Sequence, residues 1–348
     1  MPQSTAKPAV SRKLPGKLIV QTGKWVWTTL WQIMMSQLAP RDRSGAYIRP
    51  DSQFRDRISA QGSHPPQADR YSLIVGMGCP WAHRTLVVRA LKGLEAAISV
   101  TIAKPDSIAG GWVFEQEIEG CHTLAELYTL AKSDYSGRAT VPVLWDREKK
   151  AIVNNESAEI IVMLNAEFNE FATHSELDLY PHEGREAIDC WNEKIYHAVN
   201  NGVYRCGFAQ TQTAYEQACS ELFNALDEID AMLTKNRYLC GDRVTLADVR
   251  LFTTLFRFDA VYFGLFKCNR RRIQDYANLG AYLRDIYQLP GIAEICDLDT
   301  VKRDYYGNLF PLNPGGIIPL GPNVDLWEAH DRSRLSPSSS QPMLEPKR

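Results

Sequence analysis

The segment Gly78-Cys79-Pro80-Trp81-Ala82 constrains the fold more than any other part of the sequence. The run YSLIV just before it (71–75) is typical of a buried strand. Pro80 suits the first position of a helix, because its missing N–H would have no partner there in any case. Cys79 is then predicted to be the N-cap, with its sulfur near free N–H groups and the positive end of the helix dipole. That position favours the thiolate and predicts a lowered pKa, whereas the alternative is a buried cysteine with only a structural role.

The fourth position of the Cys-Pro-Trp-Ala motif is Ala82 rather than a second cysteine. A Cys-x-x-Cys pair resolves its own mixed disulfide, whereas a lone cysteine needs an external thiol. The motif therefore predicts monothiol exchange. No metal is expected, because the remaining cysteines lack the paired spacing of a zinc site. We interpret them as reduced and structural: Cys121, Cys190, Cys206, Cys219, Cys240, Cys268 and Cys296.

Two further segments of the N-terminal half could contribute to a site. Proline cannot join a hydrogen-bond ladder, so Pro142 at the start of a strand indicates either a cis Val141–Pro142 bond or a simple edge strand. Glu156 and Ser157 open a predicted helix, where free N–H groups, a hydroxyl and a carboxylate would suit an amino-acid-like ligand. Ordinary helix capping explains the same pair of residues.

The order of the predicted elements indicates two unlike halves. Strands are predicted at 71–75, 98–102, 139–145 and 151–153, with helices after the first and the last, which is typical of a small α/β domain. From about residue 184 the apolar residues recur at helical spacing, and Thr245 with Asp248 resembles a capping box. We therefore predict an arm (1–50), an α/β domain (51–170), an all-helical domain (180–310) and a Pro- and Ser-rich tail (311–348).

The arm is basic and rich in tryptophan. Residues 1–50 carry eight Lys or Arg and one acid, while the whole chain has a net charge of −2. No basic stripe runs through the folded part, which argues against a nucleic-acid partner. The first fifteen residues are expected to be disordered. Trp25, Trp27 and Trp31 predict an apolar segment packed on the body, with an interfacial membrane anchor as the alternative. A membrane span is not predicted, because the sequence contains no run of about eighteen apolar residues.

Taken together, these segments resemble the glutathione transferase fold, in which a thioredoxin-like domain precedes an all-helical domain. The resemblance is closer to one family, the glutathionyl-hydroquinone reductases, or xi class of glutathione transferases. It covers most of residues 71–310. The stretches that carry it are CPWAHRTLVVRALKGLE, GWVF, YSGRATVPVLWD, VNNESAEII, NNGVYRCGFAQTQ, RFDAVYFGLFKCN and VKRDYYGN.

The resemblance implies a role for each matching residue. Cys79 would be the nucleophile, Trp112 would stack on glutathione, Tyr204 would transfer a proton, and Tyr262 and Tyr305 would assist the thiolate. The other implied glutathione contacts are Arg138, Ala139, Thr140, Val141, Glu156 and Ser157. The implied reaction consumes a glutathionyl-hydroquinone and a second glutathione, which is a co-substrate rather than a bound cofactor, and yields hydroquinone and glutathione disulfide. A homodimer and a cytoplasmic location are also implied.

Other functions fit part of the sequence. An omega-like thiol transferase or dehydroascorbate reductase would share Cys79 but would not require Tyr204 as an acid. A non-catalytic binding module would keep the fold and would have lost the nucleophile or the glutathione contacts, both of which this sequence retains. Each tyrosine also has a plain interpretation as a half-buried packing residue.

Overall fold

The computed structural model describes residues 16–106 and 111–336. The expected disorder of the first fifteen residues therefore lies outside the described residues. The described part contains one sheet of six strands in the order β4-β3-β2-β1-β5-β6. The strands are β1 (Tyr71–Val75), β2 (Ile98–Asp106), β3 (Gly111–Ile118), β4 (Cys121–Thr123), β5 (Val143–Asp146) and β6 (Ala151–Asn154).

The sheet confirms the four predicted strands and adds two. β1 and β2 pair in parallel and the other neighbours are antiparallel. β5 begins at Val143 rather than at Ala139, because Pro142 has no N–H to donate to the ladder. β3 and β4 were not predicted: most side chains of β3 are exposed or half-buried, so the strand lacks a regular apolar alternation.

Ten α-helices complete the described residues. In the first half they are α1 (Gly16–Leu38), α2 (Pro80–Lys92), α3 (Leu124–Ala131) and α4 (Ser157–Ala166). In the second half they are α5 (Arg185–Ile195), α6 (Gly202–Gly207), α7 (Gln212–Met232), α8 (Leu246–Arg257), α9 (Leu279–Tyr287) and α10 (Leu298–Asn308). The two halves meet where α2 packs against α8 and where α10 contacts β2.

Buried carboxylates stabilise the ends of secondary-structure elements in both halves of the chain. The predicted capping box of α8 is confirmed, since the Asp248 carboxylate accepts a hydrogen bond from the Thr245 N–H at 2.8 Å. At the end of β5, the fully buried Asp146 accepts hydrogen bonds from Arg70 (2.7 Å) and His64 (2.8 Å). Burial alone would raise the pKa of Asp146, but these two partners lower it to about 2.

The expectation that the tryptophan-rich segment packs on the body is wrong for most of α1. Only the C-terminal end of α1 is in contact: Met35 is buried, and the Trp31 indole donates a hydrogen bond to the Pro311 carbonyl at 3.1 Å. Trp25 and Trp27 lie exposed. Among the described residues, no helix combines the length and apolarity needed to cross a bilayer.

Candidate active site

One cavity of about 540 Å³ lies where the start of α2, the start of β3, the loop before β5 and α10 meet. Its volume falls in the range of small-molecule sites, roughly 300–1,000 Å³. The wall contains most of the residues that the sequence predicted: Cys79, Trp112, Arg138, Thr140, Val141, Tyr204 and Tyr305. Four other predicted residues do not lie on the wall: Ala139, Glu156, Ser157 and Tyr262.

Cys79 occupies the predicted position as the N-cap of α2, with Pro80 as the first helical residue. Its thiol lies 3.6 Å from the Val141 carbonyl oxygen, to which it donates. The Val141–Pro142 bond is cis, which decides between the two alternatives for that segment. The Cys79 sulfur therefore lies beside the backbone of the loop that leads into β5.

The electrostatic environment of Cys79 differs from the expectation. Burial raises the pKa of the thiol. The Ala82 and Trp81 N–H groups and the Arg257 and Arg49 guanidiniums lower it, but they do not offset the burial. The sulfur makes no capping hydrogen bond with the helix. The predicted lowering of the pKa is therefore wrong in direction, because the sequence argument counted N–H groups and omitted the loss of hydration.

The three predicted tyrosines form a hydrogen-bonded cluster. The Tyr204 and Tyr305 hydroxyls lie 2.5 Å apart, and the Tyr262 and Tyr305 hydroxyls lie 3.0 Å apart. Tyr204 and Tyr305 reach the cavity wall, whereas Tyr262 is fully buried behind them. Burial raises the pKa of Tyr204 well above 10 and that of Tyr262 to about 12. The cluster therefore presents protonated phenols to the cavity.

Trp112 and Arg138 both line the cavity. The Trp112 ring lies so close to Gly76 that any side chain at position 76 would collide with it. Arg138 donates to the Leu38 carbonyl at 3.2 Å and so joins the wall to the end of α1. Both residues can contact a ligand that spans the cavity.

Glu156 and Ser157 make the contacts expected for helix capping. The Glu156 carboxylate accepts from the Ala158 N–H at 3.0 Å and from the Ser52 hydroxyl at 3.1 Å. The buried Ser157 hydroxyl accepts from Arg84 at 3.4 Å. Ser52 and Asn155 reach the cavity wall in their place.

Sequence reasoning missed part of the wall. Tyr47, Arg49 and residues 50–53 line the cavity, although the predicted domain boundary placed the first two in the arm. The Arg49 guanidinium lies 3.6 Å from the centre of the Trp81 ring, which stacks on Tyr204. The only local indication of these wall residues was the position of Trp81, two residues after Cys79 on the first turn of the helix.

Two charged residues from the helical half hold the turn before Cys79. Arg257 donates to the Met77 carbonyl at 2.8 Å and to the Gly78 carbonyl at 2.9 Å. Asp304 accepts from the Gly78 N–H at 2.9 Å. The turn that leads to Cys79 is therefore held by the half of the chain that does not contain it.

A thioredoxin-like sheet with a cysteine at the start of its first helix, followed by a helical domain that completes the cavity, defines a cysteine-containing glutathione transferase. Residues 78–167 match the family model "Glutathione S-transferase, N-terminal domain", and residues 212–285 match "Glutathione S-transferase, C-terminal domain". These matches confirm the predicted fold class.

Individual relatives narrow the class to a family. Glutathionyl-hydroquinone reductase YqjG of Escherichia coli is 44% identical, over 88% of this chain and 96% of the relative. The xi glutathione transferase structure from Phanerochaete chrysosporium is 43% identical with a TM-score of 0.79, over 81% of this chain and 94% of that one. The glutathione-bound YqjG structure has 45% identity and a TM-score of 0.77, over 81% and 96%. The chain belongs to the glutathionyl-hydroquinone reductases, the xi class of glutathione transferases.

Proposed function

We propose that this enzyme reduces glutathionyl-hydroquinones at the expense of glutathione, with Cys79 as the nucleophile and Tyr204 as the proton donor. The proposal rests on one observation, a shared cavity. Cys79, Tyr204, Tyr305 and Trp112 all line it, and the hydroxyls of the two tyrosines are hydrogen-bonded to each other. A cysteine alone would support disulfide exchange. The phenols beside it supply what the release of an aromatic carbon requires.

In the first step the Cys79 thiolate attacks the sulfur of the glutathionyl group. The new S–S bond forms as the bond between that sulfur and the ring carbon breaks, and the electron pair of the broken bond stays with the carbon. The carbon takes up a proton, so that the hydroquinone is reduced while the two sulfurs are oxidised. Carbon leaves poorly as an anion, and a proton donor next to the ring lowers that barrier.

Tyr204 is suited to donate this proton. Burial raises the pKa of Tyr204 well above 10, so the phenol is protonated at neutral pH. Its hydrogen bond with Tyr305, and that of Tyr305 with Tyr262, lets the remaining phenols stabilise the phenolate that forms transiently. The expected assistance to the Cys79 thiolate is then secondary, because the described contacts of Tyr262 and Tyr305 hydroxyls are with phenols.

In the second step a glutathione thiolate attacks the glutathione sulfur of the mixed disulfide. Glutathione disulfide leaves, and the Cys79 thiolate is regenerated. We assign Trp112, Arg138, Thr140 and Val141 to glutathione binding. Ala139 would shape the same loop from outside the wall, and Glu156 with Ser157 would recognise the amino-acid end of glutathione through the wall residues above them.

Mass spectrometry of the intact protein after reaction with a glutathionyl-hydroquinone tests the nucleophile. We expect one glutathione adduct, mapped to Cys79 by peptide analysis, together with an equal amount of free hydroquinone. Cys79→Ser should give neither product. Cys240→Ser is the matched control, since Cys240 is also half-buried but lies outside the cavity. An adduct on another cysteine, or hydroquinone release by Cys79→Ser, would contradict the proposal.

The assembly is proposed on the family alone, and the location also on the state of the cysteines. We propose a homodimer, to be measured by light scattering on the full chain, and a cytoplasmic location. All eight cysteines lie in the described residues and all are free thiols, which a reducing compartment would maintain. A monomer in solution would overturn the first proposal.

A further inference from the structure

We propose that α1 is an interfacial helix that lies on the surface of an anionic lipid bilayer. Eight large apolar side chains of α1 are exposed, and their exposed fractions range from 42% for Val26 to 69% for Val20 and Trp25. Large exposed apolar patches on a folded protein mark interaction surfaces. This inference is independent of the proposed reaction.

The exposed side chains form a stripe rather than a scatter. With 100° of rotation per residue, Ile19, Val26, Leu30 and Ile33 fall within about 60° of one another. Val20 and Trp27 extend this stripe to about 140°, a width typical of helices that bury one face. Six of the eight exposed residues therefore share one side of the helix: Ile19, Val20, Val26, Trp27, Leu30 and Ile33.

The helix is held so that this stripe faces outward. Trp31 and Met35 lie on the side of α1 next to the stripe and attach its C-terminal end to the body. Trp31 donates a hydrogen bond to the Pro311 carbonyl, and Met35 packs in the core. The helix is 23 residues long, about 34 Å at 1.5 Å per residue. The six side chains of the stripe are therefore exposed while the C-terminal end of the helix is attached.

The charges of the arm favour a lipid surface over a second copy of the chain. Lys17 and Lys24 flank one edge of the stripe, Thr22 and Thr29 flank the other, and α1 contains no acidic residue. Two such arms carrying net positive charge would repel each other, whereas an anionic bilayer attracts them. Lysines at the edge of an apolar stripe can reach lipid headgroups while their stems contact the apolar region.

One tryptophan of the stripe supports the same partner. Trp27 exposes an indole ring, which combines a large apolar surface with one N–H donor, whereas Trp25 lies about 160° around the helix from it and outside the stripe. Such rings concentrate at the boundary between hydrocarbon and water. Because no described helix is long and apolar enough to span a bilayer, the geometry assigns α1 to the plane of the interface.

Co-sedimentation of the full chain with vesicles tests this assignment. We expect binding to vesicles of phosphatidylcholine mixed with phosphatidylglycerol, and weaker binding to phosphatidylcholine alone. V26Q/L30Q removes the centre of the stripe without changing charge and should weaken binding at least tenfold. T22Q/T29Q is the matched control on the polar edge, and its binding should equal that of the unaltered chain. K17Q/K24Q should weaken binding about tenfold at low ionic strength and less at high salt.

Thermal unfolding midpoints that match the unaltered chain show that each variant is folded. The proposal is overturned if the unaltered chain does not bind anionic vesicles, or if T22Q/T29Q loses as much binding as V26Q/L30Q. A third outcome also overturns it: neither the unaltered chain nor V26Q/L30Q binds vesicles, and V26Q/L30Q forms a smaller oligomer than the unaltered chain. A second copy of the chain would then be the partner of the stripe.

Discussion

Replacing Tyr204 by phenylalanine separates the reduction of a hydroquinone conjugate from simple thiol exchange. The change removes one hydroxyl, which lies 2.5 Å from the Tyr305 hydroxyl, and leaves the ring stacked near Trp81. Tyr305 keeps its second partner, the Tyr262 hydroxyl at 3.0 Å. The cluster loses one hydrogen bond, which costs about 1 kcal/mol of stability. Small domains are stable by about 5–15 kcal/mol, so the variant should fold.

The effect on the reaction should be much larger than the effect on folding. Positioned acids contribute about 10²- to 10⁴-fold, which corresponds to about 3–5 kcal/mol of activation free energy. We therefore expect the rate of hydroquinone release to fall at least a hundredfold in Tyr204→Phe. Exchange with a glutathione mixed disulfide should change less than about threefold, because its leaving thiolate needs no such acid.

The assay measures both reactions on the same preparation at saturating glutathione. Hydroquinone release is followed chromatographically, and disulfide exchange is followed by the glutathione disulfide produced. Tyr262→Phe is the control, because Tyr262 is behind the wall and shares the same cluster; it should lose less hydroquinone release than Tyr204→Phe. Equal losses of the two activities in Tyr204→Phe would refute the assignment of Tyr204 as the acid.

Three shorter predictions follow from the same contacts. Burial raises the pKa of Cys79 and keeps Tyr204 protonated. The single-turnover rate of hydroquinone release should therefore rise with pH as Cys79 ionises and should not fall up to about pH 10. A decrease in this rate at alkaline pH would contradict the reasoning. Asp304→Ala leaves the Gly78 N–H unpaired and should slow adduct formation on Cys79 about tenfold. Asp304→Asn keeps an acceptor for this N–H and should restore the rate. If Asp304→Asn is as slow as Asp304→Ala in the adduct assay, Asp304 does not position the turn before Cys79. Asp146→Asn should lower the free energy of unfolding in urea at pH 7 by about 3–5 kcal/mol. Since the pKa of Asp146 is lowered to about 2, its stabilisation should be present above pH 4 and vanish between about pH 4 and 2, a decline that Asp146→Asn should not show.

Local rules predicted the parts of the site that lie close together in the sequence. Pro80 fixes where α2 begins and thereby places Cys79 at its N-cap. Thr245 and Asp248 mark the start of α8 for a similar reason. These features depend on hydrogen-bonding groups within one helical turn, so a short stretch of sequence contains the relevant information.

Other features depend on packing between distant segments. Gly78 and Asp304 meet although 226 positions separate them, and no pattern in either segment indicates the other. Arg49 lies in a stretch with no periodic signal, yet it reaches the Trp81 ring. The pKa of Cys79 follows the same logic, because the loss of water around a thiol is a property of the assembled cavity. Of the site residues that the resemblance implies, seven line the cavity and four do not, so the resemblance supplied long-range information that spacing alone does not contain.

Helix α10 connects the proposed nucleophile to the proposed acid, because two of its consecutive residues make hydrogen bonds toward the two groups. Asp304 holds the turn before Cys79 through the Gly78 N–H, and Tyr305 holds Tyr204 through their shared hydrogen bond. A helix is stiff over one residue, so a displacement of α10 moves both contacts together. On the proposed mechanism, this one element of the helical half helps to set the distance between the attacking sulfur and the proton donor. In the same mechanism, thiol exchange needs Cys79 and the turn that Arg257 and Asp304 hold, whereas release of a carbon leaving group also needs Tyr204 at a fixed distance from that sulfur.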